Sequence, residues 1–343
     1  MNRTLRAFSA GLVAAICIAG VAGCPPTPPK IEGNLPGTRS LTYERAMTTL
    51  LVHARSPNAT VRANCVEALE VSDDPRARGV IEQGLSDKEP VVRFASAMAV
   101  GKRRDAMMKP RLLEMSNGDL NTNVSVAAIY ALYRIGDSST MQQLTTDIQS
   151  KDLLIRANTY MVLGLMGNKQ YLPLLISCEG EKEIRAKFEL TAALARLGDE
   201  KAINVITGMV YSKVAEMEWN ALTLCGDLDP EKVNNALLTR LKEPLPLESG
   251  QRNLQIRRQL IAARSLAKLN LNNGLQFALD NLADPAPDVR ALAALALGEA
   301  LNLTGEARLK PLLEDPDASV RIAASAAVIN IWSRMANTPT EHK

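Results

Sequence analysis

The chain has 343 residues and little of what usually carries chemistry. It has only two histidines, His53 and His342, and the second lies in a polar tail. Beyond Cys24 the cysteines are Cys65, Cys178 and Cys225, scattered and without CxxC spacing, so no zinc site of ordinary spacing can be read from them. Three is also an odd number for an oxidising compartment, and Cys65 and Cys225 are expected to be buried, inert thiols. No Gly-rich phosphate loop and no Gly-x-Ser-x-Gly elbow occurs. Acidic pairs such as Asp73-Asp74 and Glu181 with Glu183 read as loop or cap residues, not as a matched acid and base. The net charge of +3 falls to +1 once Arg3 and Arg6 are set aside, too little to steer the chain toward nucleic acid. Aromatic residues make up 3% although 46% of the chain is apolar, so the apolar mass is Ala, Leu, Val, Ile and Met. Those are the residues of closely packed helices, and an all-α chain without catalysis, cofactor or metal is the expectation.

The N-terminus carries a different signal. Arg3 and Arg6 precede an apolar run from Ala7 to Val21 that is short for a membrane span, and Val21-Ala22-Gly23-Cys24 closes it with small residues. This resembles the lipobox of bacterial lipoproteins. The resemblance implies a signal peptide over residues 1–23, cleavage after Gly23, and diacylglyceryl and acyl (palmitate-type) chains on Cys24. The alternatives are an uncleaved N-terminal anchor or a plain signal peptide with an incidental cysteine. Two or three chains anchor a protein stably where one binds marginally, and nothing later approaches ~20 uninterrupted apolar residues. Pro25 after the cysteine, by resemblance to enterobacterial sorting, favours the outer membrane over the inner. Residues 24–40 continue as a Pro-rich, extended tether, able to hold the next domain up to ~50 Å from the bilayer. The partners so implied are the bilayer, through acylated Cys24, and unidentified envelope proteins on the periplasmic side.

From residue 41 to 336 a repeat takes over. With Arg290 of the stretch Val289–Gly298 (VRALAALALG) as offset zero, the equivalent positions are Arg62, Arg93, Ser125, Arg156, Lys187, Ala215, Gln259, Arg290 and Arg321. The spacings are 31, 32, 31, 31, 28, 44, 31 and 31 residues. Seven residues on stand Leu69, Val100, Leu132, Leu163, Leu194, Leu222, Leu266, Leu297 and Val328, all aliphatic. Six residues on, all but Val162 are Ala or Ser. Offsets −1, +3, +6, +7 and +10 share one helix face, and small residues at +6 with glycines at +8 (Gly101, Gly164, Gly298) let a neighbouring helix approach. Gly136, Gly167, Gly198 and Gly226 at +11 stand where a helix C-cap is wanted. One helix pair cannot bury its own stripe, but stacked pairs can. The reading is a right-handed α-solenoid of about nine helix pairs with a polar tail at 337–343.

The V-R-x-x-A-A-x-A-L-G unit, with Asp284-Pro285 and Asp315-Pro316 before it, resembles the HEAT-like repeats first recognised in phycobilisome lyases. The resemblance is strong over 88–167 and 284–332 and degenerate over 200–258. It implies a non-catalytic protein-binding scaffold. An accessory or lyase-like subunit of an enzyme complex and a polysaccharide-binding or cell-wall-binding lipoprotein are the other readings. HEAT-like deoxyhypusine hydroxylases hold iron with His-Glu pairs, and this chain has no His-Glu dipeptide. Six residues before the recurring arginine position stand Ser56, Asp87, Asp119, Ser150, Glu181, Asp284 and Asp315, and a cap-type acceptor or carboxylate facing a guanidinium from the adjoining helix reads as a clasp between turns.

Two departures from the repeat are candidate partner sites. One is a central aromatic group, with Tyr130, Tyr133, Tyr160 and Trp219 foremost; such residues anchor interfaces and also fill loose turns of a core. The other is the long spacing before Gln259, placed in a Pro/Gly loop near Glu243–Gln255. Arg240, Lys242, Arg252, Arg257, Arg258, Arg264 and Lys268 surround that loop and give a local +5 that could meet an acidic partner or form a solvated face.

Overall fold

In the computed structural model residues 40–299 and 303–336 are described. The expected signal peptide, Cys24, the expected tether up to residue 39 and the tail from 337 lie outside the described residues. The described residues form eighteen α-helices in nine pairs. They are α1 Leu41–His53 with α2 Ala59–Leu69, α3 Pro75–Gly84 with α4 Pro90–Arg103, α5 Lys109–Gly118 with α6 Thr122–Arg134, and α7 Gln142–Asp147 with α8 Leu153–Met166. Then come α9 Leu172–Ile176 with α10 Ile184–Arg196, α11 Glu200–Met209 with α12 Ala215–Cys225, α13 Pro230–Lys242 with α14 Ser249–Lys268, α15 Leu275–Asp280 with α16 Pro287–Gly298, and α17 Leu303–Leu309 with α18 Ala318–Ala336. This is the all-α solenoid of HEAT-like pairs that the repeat predicts.

Local chemistry sets the boundaries. Asn58, Asp74, Asn121, Asp152, Asp199 and Asp229 cap helix N-termini with side-chain oxygens, and Pro75, Pro90, Pro230 and Pro287 occupy first helical positions, where a missing N–H costs nothing. The chain leaves five of the even-numbered helices through a left-handed residue at +11. Gly136, Gly167 and Gly198 take φ of 92°, 69° and 90°, as expected, and Arg104 and Asn270 take 53° and 62° at the same offset. Gly226 does not: its φ is −68°, and a Cβ there would come within 3.2 Å of Ser265. Its lack of a side chain serves close packing instead.

The even-numbered helices form an inner layer, each packed on its neighbours in the layer except at α10 and α12, and the odd-numbered helices cover them from outside. Every +7 side chain is buried. The +8 glycine of one repeat meets the +6 alanine of the next. A Cβ on Gly101, Gly164 or Gly298 would fall 2.9, 2.6 or 2.6 Å from the Cα of Ala131, Ala193 or Ala327. The three helix pairs so joined, α4 with α6, α8 with α10 and α16 with α18, are the most closely packed of the inner layer. The pair α10 and α12, with Ala195 at +8, approaches least.

The array closes on itself. Helix α18 packs against α1 and α2. The rings of Tyr43 and Trp332 meet edge-on with centroids 5.7 Å apart, Arg45 pairs with Glu314 at 3.0 Å, and the Ser333 hydroxyl donates to the Val71 carbonyl. Stacked pairs with nearest-neighbour contacts are what the repeat pattern implies; the contact between first and last pair is additional. Nine pairs therefore form a ring, its inner wall made by the even-numbered helices.

Candidate functional site

The ring has two rims, one where the inner helices start and one where they end, and a lumen between them.

The starting rim holds the arginines at offset zero. Arg62, Arg93, Arg156 and Arg290 each grip a carboxylate of the next repeat, Asp87, Asp119, Glu181 and Asp315, through two N–H groups at 2.7–3.0 Å. A third N–H donates to the carbonyl six residues upstream, at Ser56, Asp87, Ser150 or Asp284. Each guanidinium thus ties one helix pair to the next, as the clasp reading expects. The Arg156 hydrogen bonds hold the Glu181 carboxyl down at about 2.

Where Ala215 and Gln259 stand in place of the arginine the clasp is rebuilt. At offset zero Gln259 donates to the carbonyls of Leu241 and Glu243 at 2.9 and 2.6 Å. Arg240, from the outer helix α13, donates to the Val210 carbonyl, to both oxygens of Glu243 and to buried Glu218, and lies 4.8 Å over the Tyr211 ring. Arg258 donates to the other oxygen of Glu218 at 2.6 Å.

This changes the reading of the basic flank. Arg240 and Arg258 are spent on Glu218, Arg257 pairs with Asp288 at 2.5 Å, Arg264 with Glu299 at 3.2 Å, and Lys268 with Asp227. The expected local +5 is therefore largely neutralised by partners from adjoining helices. Arg252 is the arginine of this group that stays exposed. The extra residues are not a loop throughout: α14 starts at Ser249, so most of the expected loop 243–255 is a two-turn extension of that helix.

The aromatic group divides. Tyr130 and Tyr160 are core residues, 1% and 2% exposed, because the Tyr130 ring fills the space left by Gly101 and the Tyr160 hydroxyl donates to Glu181. Tyr133 and Trp219 are half-buried, and the Tyr133 hydroxyl accepts from Asn168 at 3.1 Å.

What the repeat pattern does not reveal is a row of exposed apolar side chains along the starting rim. Leu120 and Leu247 are fully exposed, and so in large part are Ile184, the first residue of α10, and Tyr211 and Val214 in the turn that leads into α12. The available signal was an apolar residue in a turn that elsewhere carries Pro or Lys, as Leu120 stands where Lys88, Lys151 and Pro285 do.

The lumen is a cavity of about 420 Å³, lined by side chains from eight of the nine inner helices. Offsets +1, +2, +5 and +9 face it, a stripe that includes Phe94, Met98, Met161, Phe188 and Leu295 toward the starting rim. Toward the ending rim it is charged, with Glu70 paired to Lys102 at 2.6 Å, Asp227 to Arg196 at 3.4 Å and to Lys268, and Glu299 to Arg264 and Arg334. Among the described residues no three His, Cys, Asp or Glu side chains group as metal ligands, and no helix is long and apolar enough to cross a membrane. Cys65 and Cys225 are fully buried, which pushes the Cys225 thiol up to about 12.

The family profile of HEAT repeats matches residues 47–132. The repeats are HEAT-like. No curated protein sequence matches the chain. Among solved structures, the HEAT-like ring is similar to human deoxyhypusine hydroxylase in complex with glycerol, at 17% identity over 85% of this chain and 97% of that one, with a TM-score of 0.33. It is similar to the CpcE–CpcF complex of phycocyanin lyase from Nostoc, at 15% identity over 86% and 97%, with a TM-score of 0.32. An engineered protein matches at 14% identity over 84% and 99%, with a TM-score of 0.29.

Proposed function

We propose that the chain is a lipid-anchored, non-catalytic scaffold of the bacterial envelope that binds another protein through the starting rim of its HEAT-like ring. The observation that carries this reading is the group formed by Leu120, Ile184, Tyr211, Val214 and Leu247, apolar side chains left in water on the third, fifth, sixth and seventh repeats. Solvent-exposed apolar residues gathered on one edge, with a polar surround, are what a protein partner desolvates. Arg252 adds an exposed positive charge beside them.

The position of the row suits a tether. Ser40, which caps α1 and touches Glu306, sits on the ending rim, so a chain anchored through Cys24 would approach the ring from the side opposite the apolar row. The row would then face away from the bilayer, toward periplasmic partners.

Crosslinking in intact cells, followed by purification from the membrane fraction and mass spectrometry, tests both halves. A diacylated or triacylated N-terminal Cys24 peptide is the expected lipid result. The fourfold variant Leu120→Ser, Ile184→Ser, Val214→Ser, Leu247→Ser is expected to keep its melting temperature and lose the specific partners. A partner set identical to that of the unchanged chain would overturn the rim as the binding surface.

A further inference from the structure

We propose that the lumen is a binding site for a small amphiphilic amine, with its ammonium group on Glu67 and its apolar body among Phe94, Met98, Met161, Phe188 and Leu295. This is independent of the protein-binding role of the rim.

Every other charged side chain on the lumen wall is already matched. Glu70 has Lys102, Asp227 has Arg196 and Lys268, and Glu299 has Arg264 and Arg334. Glu189 lies in the field of Arg185. The Glu67 carboxylate faces the cavity and makes no direct hydrogen bond or ion pair among the described residues; Lys102 and Arg264, already paired with Glu70 and Glu299, act on it only through their fields. Its offset, +5, places it midway along α2, at the level where the wall changes from apolar to charged. A carboxylate left without a partner inside a protein is costly, and a cation brought to it is bound more strongly than at a surface.

The remaining features select the rest of the ligand. A cavity of about 420 Å³ falls within the size of small-molecule sites. Two aromatic rings, two methionines and a leucine form the half toward the starting rim, and Met and aromatic side chains adapt to irregular apolar bodies. An anionic head group would meet Glu67 and find the lumen cations already paired. A neutral alcohol would leave the carboxylate without its charge partner.

Burial and neighbouring Glu70 raise Glu67 to about 7, while Lys102 and Arg264 pull it the other way. Near neutral pH a good part of the population carries the proton. An arriving ammonium ion favours the carboxylate, so binding releases a proton from Glu67 to the buffer, and amine binding strengthens as pH rises through 7.

The test uses the full chain with octylamine, octanol and octanoate, titrated calorimetrically in buffers of different ionisation heat. Octylamine is expected to bind saturably with proton release, and octanol and octanoate about tenfold more weakly or worse. Glu67→Gln is expected to weaken octylamine about tenfold and abolish the proton release. If Glu67→Gln does not fold, Met161→Trp, which places an indole in the apolar half, must remove octylamine binding from the folded ring. Equal affinity for octylamine and octanol, unchanged octylamine binding in Glu67→Gln, or no saturable binding of any of the three would overturn the proposal.

Discussion

Tyr43 in the first helix and Trp332 in the last meet edge to face at 5.7 Å, and this contact joins the two ends of the repeat array. Tyr43 is 2% exposed, its hydroxyl lies 3.1 Å from that of Ser72, and the Trp332 indole donates to Glu306 at 3.2 Å. In an open solenoid the terminal repeats need polar outer faces; here each terminal pair covers the other. Trp332→Ala removes a large side chain from this junction and is expected to cost ~3–5 kcal/mol. Because the loss falls at the closure and not within one repeat, small-angle scattering should show a larger radius of gyration. A destabilised protein with the unchanged radius would mean that the ring stays shut by its other contacts. Tyr43→Ala should have the same effect, and the double variant should cost less than the sum of the two, since they share one contact.

The arginine clasp makes a separate prediction. Arg290 donates two hydrogen bonds to Asp315, at 2.8 and 2.9 Å, with side chains 13% and 9% exposed. Arg290→Ala loses these bonds and the one to the Asp284 carbonyl, and is expected to cost about 2–4 kcal/mol. Asp315→Ala should cost less, because Arg290 keeps its carbonyl partners. A double-mutant cycle in urea is expected to give a coupling of about 1–3 kcal/mol. Additive losses would show that the clasp is not an energetic link between repeats.

Glycines test the close approach of the inner helices. Gly298→Ala drives a methyl group against the Ala327 backbone 2.6 Å away, within the densest pairing of the ring, and is expected to destabilise by about 1–3 kcal/mol. Gly208→Ala lies inside α11 with no atom within 4 Å of the new Cβ, and should instead stabilise by about 0.5–1 kcal/mol through helix propensity. Thermal denaturation of both variants decides it: shifts of equal sign would remove the packing argument.

These contacts differ in how far the amino-acid sequence announces them. The partners Gly298 and Ala327 or Arg290 and Asp315 recur at fixed offsets, so the repeated columns expose both the helix faces and the clasp. Closure does not recur. It arises from a small rotation accumulated over nine repeats, and Tyr43 and Trp332 look like ordinary core filling when taken singly. Arg240 reads in the sequence as part of a basic face for a related reason: it takes over the clasp from an outer helix, at an offset where no other repeat places an arginine. The lumen was missed because periodicity marks the positions that are fully buried. Offsets +5 and +9 vary from repeat to repeat, with Glu67, Met98 and Arg264 at one and Lys102, Leu165 and Glu299 at the other, since no neighbouring helix fills them.

Acid should loosen the ring at His53. This side chain is 1% exposed, and its Nδ1 lies 2.8 Å from the Thr49 carbonyl, which can only accept, so Nδ1 carries the hydrogen. Burial lowers the pKa of the imidazole from its ordinary 6.5, against the Thr49 hydrogen bond, and the positive charge of Arg321 on α18 lowers it further. The unfolded chain then binds a proton near pH 6.5 that the folded ring refuses, so this contribution to stability is complete above about 6.5 and is lost as the pH falls through the folded value. Glu67 has the opposite sign: raised to about 7, it favours the folded ring in acid, and that advantage disappears as the pH rises from 4.5 to 7. In wild type the two slopes therefore oppose each other. In a Glu67→Gln background the urea midpoint is expected to fall more steeply between pH 7 and 5 than in wild type, and adding His53→Leu should flatten that fall. Because Arg321 belongs to the closing helix, the acid loss should be accompanied by the same increase in radius as Trp332→Ala. A slope unchanged by His53→Leu would assign the acid sensitivity to other groups and remove His53 from the closure.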